Sequence, residues 1–80
     1  MREQIAAINP DAMLIDGYDE AIIGLTKDWL AVYCYKKLVM ITMRLCNTDS
    51  VQEAMEYVEF NILSAYVGEN TPVIVLPLQQ

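Results

Sequence analysis

Ser50-Val51-Gln52-Glu53-Ala54-Met55-Glu56-Tyr57-Val58-Glu59-Phe60-Asn61-Ile62-Leu63-Ser64-Ala65-Tyr66-Val67-Gly68 is the stretch from which the rest of the chain can be read. It opens on a Ser-x-x-Glu capping box, in which the serine hydroxyl accepts from the amide three residues on and the glutamate reaches back. Val51, Met55, Val58, Ile62 and Ala65 then recur at spacings of 4, 3, 4 and 3, one apolar stripe on a helix. Gly68 stands where a left-handed residue ends a helix. The pattern predicts a helix over 51–67. Tyr57, Phe60, Leu63 and Val67 form a second strip beside the first, so the apolar arc exceeds the roughly 100° that one sheet covers. Glu53, Glu56 and Glu59 are left on a narrow acidic ridge. Either a neighbouring helix or a partner must cover the second strip.

Outward from this helix the assignments become shorter. In 36–46, Leu38, Ile41 and Leu45 share a helical face and Asn47 suits a left-handed C-cap. Lys36 and Lys37 oppose the helix dipole there, and Val39, Ile41 and Thr42 favour a strand, but the helix is the preferred reading. Upstream, residues 12–35 have the pattern of a three-stranded antiparallel meander. Ala12–Ile15 and Ala21–Leu25 flank Asp16-Gly17, a type I′ hairpin signal, and Thr26-Lys27-Asp28 turns the chain into Trp29–Tyr35. Downstream, Val73–Leu76 is an unbroken apolar run between Pro72 and Pro77, the mark of a short strand covered on both faces. Residues 1–9 are expected to be a loosely ordered lead-in ending at Asn9-Pro10-Asp11. The order β-β-β-α-α-β implies an α+β two-layer sandwich, a mostly antiparallel sheet packed by two helices, in one domain spanning 1–80.

Composition narrows the chemistry. Five Lys/Arg against eleven Asp/Glu give a net charge of −6 over 80 residues, with no histidine. Such a chain has little with which to meet phosphates, so no nucleic-acid partner is expected. Without histidine it lacks the usual general base near neutral pH and any Ser-His or Cys-His pair. Cys34 and Cys46 form neither a CxxC pair nor a disulfide framework. Residues 1–10 lack an apolar run of signal-peptide length, and the stretches Leu30–Tyr35 and Leu38–Met43 fall short of the about 20 residues a bilayer needs. No membrane partner is expected.

Three groups of residues deserve weighing as chemistry. Asp16, Asp19 and Glu20 could hold a divalent cation through oxygen ligands, but an acidic turn in water is the simpler reading. Cys34 and Cys46 lie in apolar runs, where a thiol behaves as a small hydrophobe. Met13, Met40, Met43 and Met55 exceed what a core this size needs, and methionine suits adaptable interfaces. No cofactor and no metal are expected.

Asn9-Pro10-Asp11-Ala12 and Asp16-Gly17-Tyr18-Asp19-Glu20-Ala21-Ile22-Ile23-Gly24 at the front resemble a small protein family of tailed phages and prophages. So do Glu53-Ala54, Glu56-Tyr57, Phe60-Asn61 and Gly68-Glu69-Asn70-Thr71-Pro72 at the back. The likeness covers residues 9–75. Cys34 departs from it, standing where the family has an acidic residue that would cap the first helix. The family has no assigned function, so no residue roles carry over. What the resemblance implies is a phage accessory protein made in the host bacterial cytoplasm.

The expected function is that of a small acidic, non-enzymatic interaction protein that binds and inhibits a bacterial host or defence protein. The alternative is a protein that sequesters a signalling nucleotide at a subunit interface, with only Arg2, Lys27, Lys36, Lys37 and Arg44 to meet its phosphates. A third possibility is a metal-dependent enzyme using Asp16, Asp19 and Glu20. A homodimer is expected because a domain of this size cannot easily bury both helical strips. Its candidate interface residues are Trp29, Tyr33, Tyr57, Phe60, Leu63 and Val67, flanked by Glu53, Glu56 and Glu59.

Overall fold

Ser50 caps a helix as its sequence requires, but with an added relay. In the computed structural model, which describes residues 2–65, 68 and 70–78, Ser50 Oγ accepts from the Glu53 amide at 3.1 Å. The return arm of the capping box passes through Thr48: its hydroxyl accepts from the Ser50 amide at 3.1 Å and donates to Glu53 Oε1 at 3.0 Å. The elements in chain order are α1 (Arg2–Ile8), β1 (Ile22–Leu25), β2 (Ala31–Cys34), α2 (Tyr35–Cys46), α3 (Val51–Tyr57), a π-helical continuation of α3 (Val58–Leu63), and β3 (Val73–Val75). The fold is α+β. Asn47 closes α2 with φ 53°, donating to the Arg44 carbonyl, while the Thr48 amide reaches the Met43 carbonyl at 3.0 Å. Those two bonds are the Schellman stop.

The long helix departs from its predicted course. Its α-helical part ends at Tyr57, and the buried positions are Ala54, Val58 and Ile62, whereas Val51, Met55 and Ala65 are exposed. Steps of four overshoot a turn of α-helix, and the wider π turn undershoots, so the two together keep Ala54, Val58 and Ile62 on one face. The predicted end at 67 lies outside the described residues. Gly68 has φ 115°, the positive value a helix stop favours. In α2 the buried face is Leu38, Val39, Ile41 and Thr42, and Leu45 turns out to solvent.

The front third differs most. Residues 2–8 are a helix, not a lead-in: Ile5 is fully buried, and Arg2 grips both carboxylate oxygens of Asp19 at 3.0 and 2.8 Å. Ala12–Ile15 is not a strand. Its amides are taken by loop and side-chain acceptors, Met13 by the Asn70 carbonyl and Ile15 by the buried Tyr33 hydroxyl at 2.9 Å. Asp16-Gly17 makes a turn closed by the Tyr18 amide on the Ile15 carbonyl, but positive φ falls on Gly17 alone, at 86°. That is the type II pattern, which does not pair strands as type I′ does. A 3-10 turn, Asp19–Ala21, follows in place of a second strand start.

The only hairpin among the described residues joins β1 to β2. Thr26 Oγ1 accepts from the Asp28 and Leu30 amides, and Trp29 takes φ 65° to complete the turn. β2 lies in the middle of the sheet, antiparallel to β1 and parallel to β3, with Tyr33 opposite Ile22 and Ile74. The sheet is therefore mixed, not mostly antiparallel. A parallel neighbour requires a crossover, and α2 and α3 provide it.

Ala31 and Tyr33 point into the core, joined by Ile22, Leu25 and Ile74. By strand alternation Val32, Val73 and Val75 face the other way, half-buried, with Ile23 exposed across the bulge. The core holds two polar bridges between distant segments: Tyr33 to the Ile15 amide, and Tyr18 to the Thr42 hydroxyl at 2.7 Å. Tyr33→Phe strands the Ile15 N–H in a dry site, and such a loss costs about 1–3 kcal/mol. Urea denaturation of the variant is expected to show that loss with an unchanged slope. An unmoved midpoint would mean that the 12–15 segment is held by something else.

Candidate partner-binding groove

The first residue of α2 organises the surface between the two crossover helices. Tyr35 follows directly on β2, which fixes its backbone, and its hydroxyl donates to Glu59 Oε2 at 3.0 Å. The phenol is half-buried, and burial, reinforced by the Glu59 carboxylate, raises its pKa above the ordinary value of 10.0. Beside it runs an open groove of about 850 Å³ walled by Val51, Met55 and Phe60, with Gln52, Glu56, Glu59 and Ser64 along its rim. A second hollow of about 380 Å³ continues from Tyr35 over Val39, Met40, Met43 and Leu76. A third, of about 360 Å³, runs from Tyr35 over Leu63 to Ile74 and Val75. Tyr35 belongs to all three.

The walls are apolar and open to water. Phe60 is 76% exposed, Leu76 66%, Met40 58% and Val51 53%. Together with Met55 they present on the order of 500 Å² of apolar surface, toward the upper end of what monomers leave uncovered. The whole molecule is slightly more extended than an average compact chain of its size. Its accessible surface is 5406 Å², against roughly 4,900 Å² for a compact chain of this mass. Its radius of gyration is 12.6 Å, against about 11.6 Å for 80 residues.

The structure brings together some of the predicted interface residues and separates others. Phe60, Glu56 and Glu59 line the groove, and Leu63 is half-buried at its margin. Glu53 is tied to Thr48. Tyr57 is exposed but does not line the groove, and Trp29 stands in the β1–β2 turn. Tyr33 is fully buried, because on the central strand it faces the helices, and so cannot be a surface anchor. Val67 lies outside the described residues. Sequence reasoning missed Tyr35 and Leu76, and assigned Val51 and Met55 to the core. The available signals were the surplus methionines and the small Ala54, which permits close packing of α3.

Compared with protein-family models, characterised proteins and solved structures, the chain matches none.

The carboxylates of the 16–20 segment are engaged in ion pairs. Asp19 is paired with Arg2, whose hydrogen bond holds its carboxyl below the usual range, Asp16 lies 3.5 Å from the same guanidinium, and Glu20 meets Arg44 at 2.7 Å. Among the described residues no group of three His, Cys, Asp or Glu is arranged to hold a metal. Cys34 is buried and Cys46 exposed. No helix among the described residues is long and apolar enough to cross a membrane.

The Tyr35–Glu59 contact can be read by titration. A raised phenol pKa in the folded state favours the neutral form, so its contribution to stability holds below about pH 10 and fades as pH rises beyond it. Glu59→Gln removes the negative charge, and Tyr35 is expected to ionise at lower pH in that variant than in the parent. Site-resolved NMR of the tyrosine rings, assigned with Tyr35→Phe, checks this. Identical Tyr35 curves would mean that the contact is not made in solution.

Proposed function

We propose that this chain is a phage-encoded, non-catalytic interaction protein of the bacterial cytoplasm that binds and inhibits a host or defence protein through the groove beside Tyr35. The observation that carries this reading is the groove itself: a large apolar surface, walled by aromatic and methionine side chains and edged by carboxylates, on a chain too small to leave such area uncovered without cost. Phe60 has the character of an interface anchor, since aromatics are enriched where partners meet. The methionines supply walls that adapt to a partner's shape. The likeness of residues 9–75 to a phage family supports the phage origin and, with it, the bacterial target. Nucleotide sequestration has weaker support, because Arg2, Lys27 and Arg44 are already paired with carboxylates.

A photo-crosslinking residue in place of Phe60, in protein made during infection, is expected to join a bacterial protein that a probe at exposed Glu3 does not reach. The captured protein, once purified, is then expected to bind the parent chain at least about tenfold more tightly than Phe60→Asp, as loss of an interface anchor implies. Equal binding, or crosslinks at both positions alike, would overturn the reading.

Self-association belongs to the other side of the sheet. None of the eleven strand residues is charged, so Val32 and Val73, with exposed Ile23, form a neutral face on a chain of net charge −6. Two acidic copies meet with least repulsion on such a face, in a two-fold pair. In ~150 mM salt, where the Debye length is about 8 Å, light scattering at high micromolar concentration is expected to give about twice the 9.1 kDa chain mass. Ile23→Lys is expected to return it to one chain mass and Phe60→Asp to leave it paired. A monomeric parent, or a pair broken only by Phe60→Asp, would refute this arrangement.

A further inference from the structure

We infer that the segment received by the groove is a cationic amphipathic helix of the partner, about 12–14 residues long, with an apolar stripe flanked by Lys or Arg. The inference rests on the groove being the docking surface and adds the chemistry of its occupant.

Charge fixes the sign. Glu53, Glu56 and Glu59 succeed one another every three residues along one helix, and the latter two line the groove. Among the described residues Lys36 is the one cation lining the connected hollows. Glu59 already accepts from Tyr35, yet a carboxylate has lone pairs for several donors and can meet a partner's ammonium or guanidinium as well. An acidic or neutral occupant would leave this edge unanswered.

Shape and length give the form. The groove lies along the helix from Val51 to Ser64, at most roughly 20 Å because the α-helical rise of 1.5 Å per residue holds only as far as Tyr57, which accommodates a helix of up to about 13 residues. α3 and its π continuation form the long wall, Tyr35 stands against it, and α2 faces α3 across the adjoining hollow through Val39, Met40 and Met43; an apolar helical face meets such a surface through anchors at i, i+3, i+4 and i+7. A second copy is a poor occupant. Its one helix rich in cations, α2, carries Lys36, Lys37 and Arg44, but the apolar face of α2 is already spent on its own core and Arg44 on Glu20.

The test uses the full chain and three labelled 14-residue peptides in fluorescence anisotropy. One carries a Leu/Phe stripe flanked by Lys, one the same stripe flanked by Glu, and one the composition of the first in an order that has no stripe. The Lys-flanked stripe is expected to bind at least about tenfold more tightly than either of the others, and less tightly as salt is raised. The double variant Glu56→Lys/Glu59→Lys is expected to reverse the charge preference. The control Glu3→Lys/Asp11→Lys, with the same change in net charge away from the groove, is expected to retain it. If both striped peptides bind equally and Phe60→Ala weakens both, the cationic inference fails while the groove reading stands. If the stripeless peptide binds as well as the striped one, or the control double variant also reverses the preference, binding follows net charge and the inference falls. If no peptide binds, or Phe60→Ala changes nothing, the groove reading falls with it.

Discussion

The parallel pairing of β2 with β3 is the constraint on which the rest depends. A strand can lie parallel to its neighbour only if the chain returns to the end where the first strand began, and here α2 and α3 make that return. Val73–Val75 then completes a sheet whose central strand aims Ala31 and Tyr33 at the helices. Tyr33 in turn anchors the irregular 12–15 segment through its hydroxyl, and Arg2 ties α1 to the turn after it. Tyr35, one helical residue past β2, is carried to the seam between helix and sheet, where the groove opens. The groove is thus a by-product of the crossover.

Local signals were legible where they act within a few residues. The Ser50 cap, the Asn47 stop, the positive φ at Gly17 and Gly68, and the middles of the strands expected at 21–25, 29–35 and 73–76 follow from propensity and pattern, although Trp29 lies in the turn and Tyr35 in α2. The errors lie where a side chain from elsewhere settles the backbone. Ala12–Ile15 has a strand's composition, but its amides find the Tyr33 hydroxyl and the Asn70 carbonyl. The N-terminal segment has too few residues to be a helix alone, and gains order from Ile5 in the core and Arg2 on Asp19, contacts between residues far apart in sequence. The parallel sense of β3 was not legible: an apolar run of three or four residues suits either sense, and Val73–Val75 lies half-buried at the sheet edge, not covered on both faces as its sequence suggests.

The groove was half visible in the same way. Phe60, Glu56 and Glu59 stood out because an apolar arc wider than one sheet requires must have an outer part. Its other wall was hidden because the stripe was taken as Val51, Met55, Val58 and Ile62. The buried row is instead Ala54, Val58 and Ile62, a spacing of four throughout that is kept on one face only by the π turn. That row rotates the helix so that Val51 and Met55 move from core to surface. No count of α-helical periodicity contains the π turn, which is a tertiary choice favouring Ile62 in the core.

The groove also has an energetic meaning. Surface on the order of 500 Å² left wet forgoes on the order of 10 kcal/mol of burial, even by an upper-bound accounting. That is comparable with the entire folding free energy of a domain. A chain of 80 residues could reclaim part of it by small polar changes at Phe60, Met40 or Leu76, each of which stands in solvent without supporting the core. Retaining all three large apolar groups beside a row of carboxylates makes sense if the burial is completed on docking. Association then opposes that gain with several kcal/mol of lost freedom. On the proposed reading, the strength of the interface depends on how well Phe60 and its neighbours are packed, and its selectivity on the charge along Glu56 and Glu59.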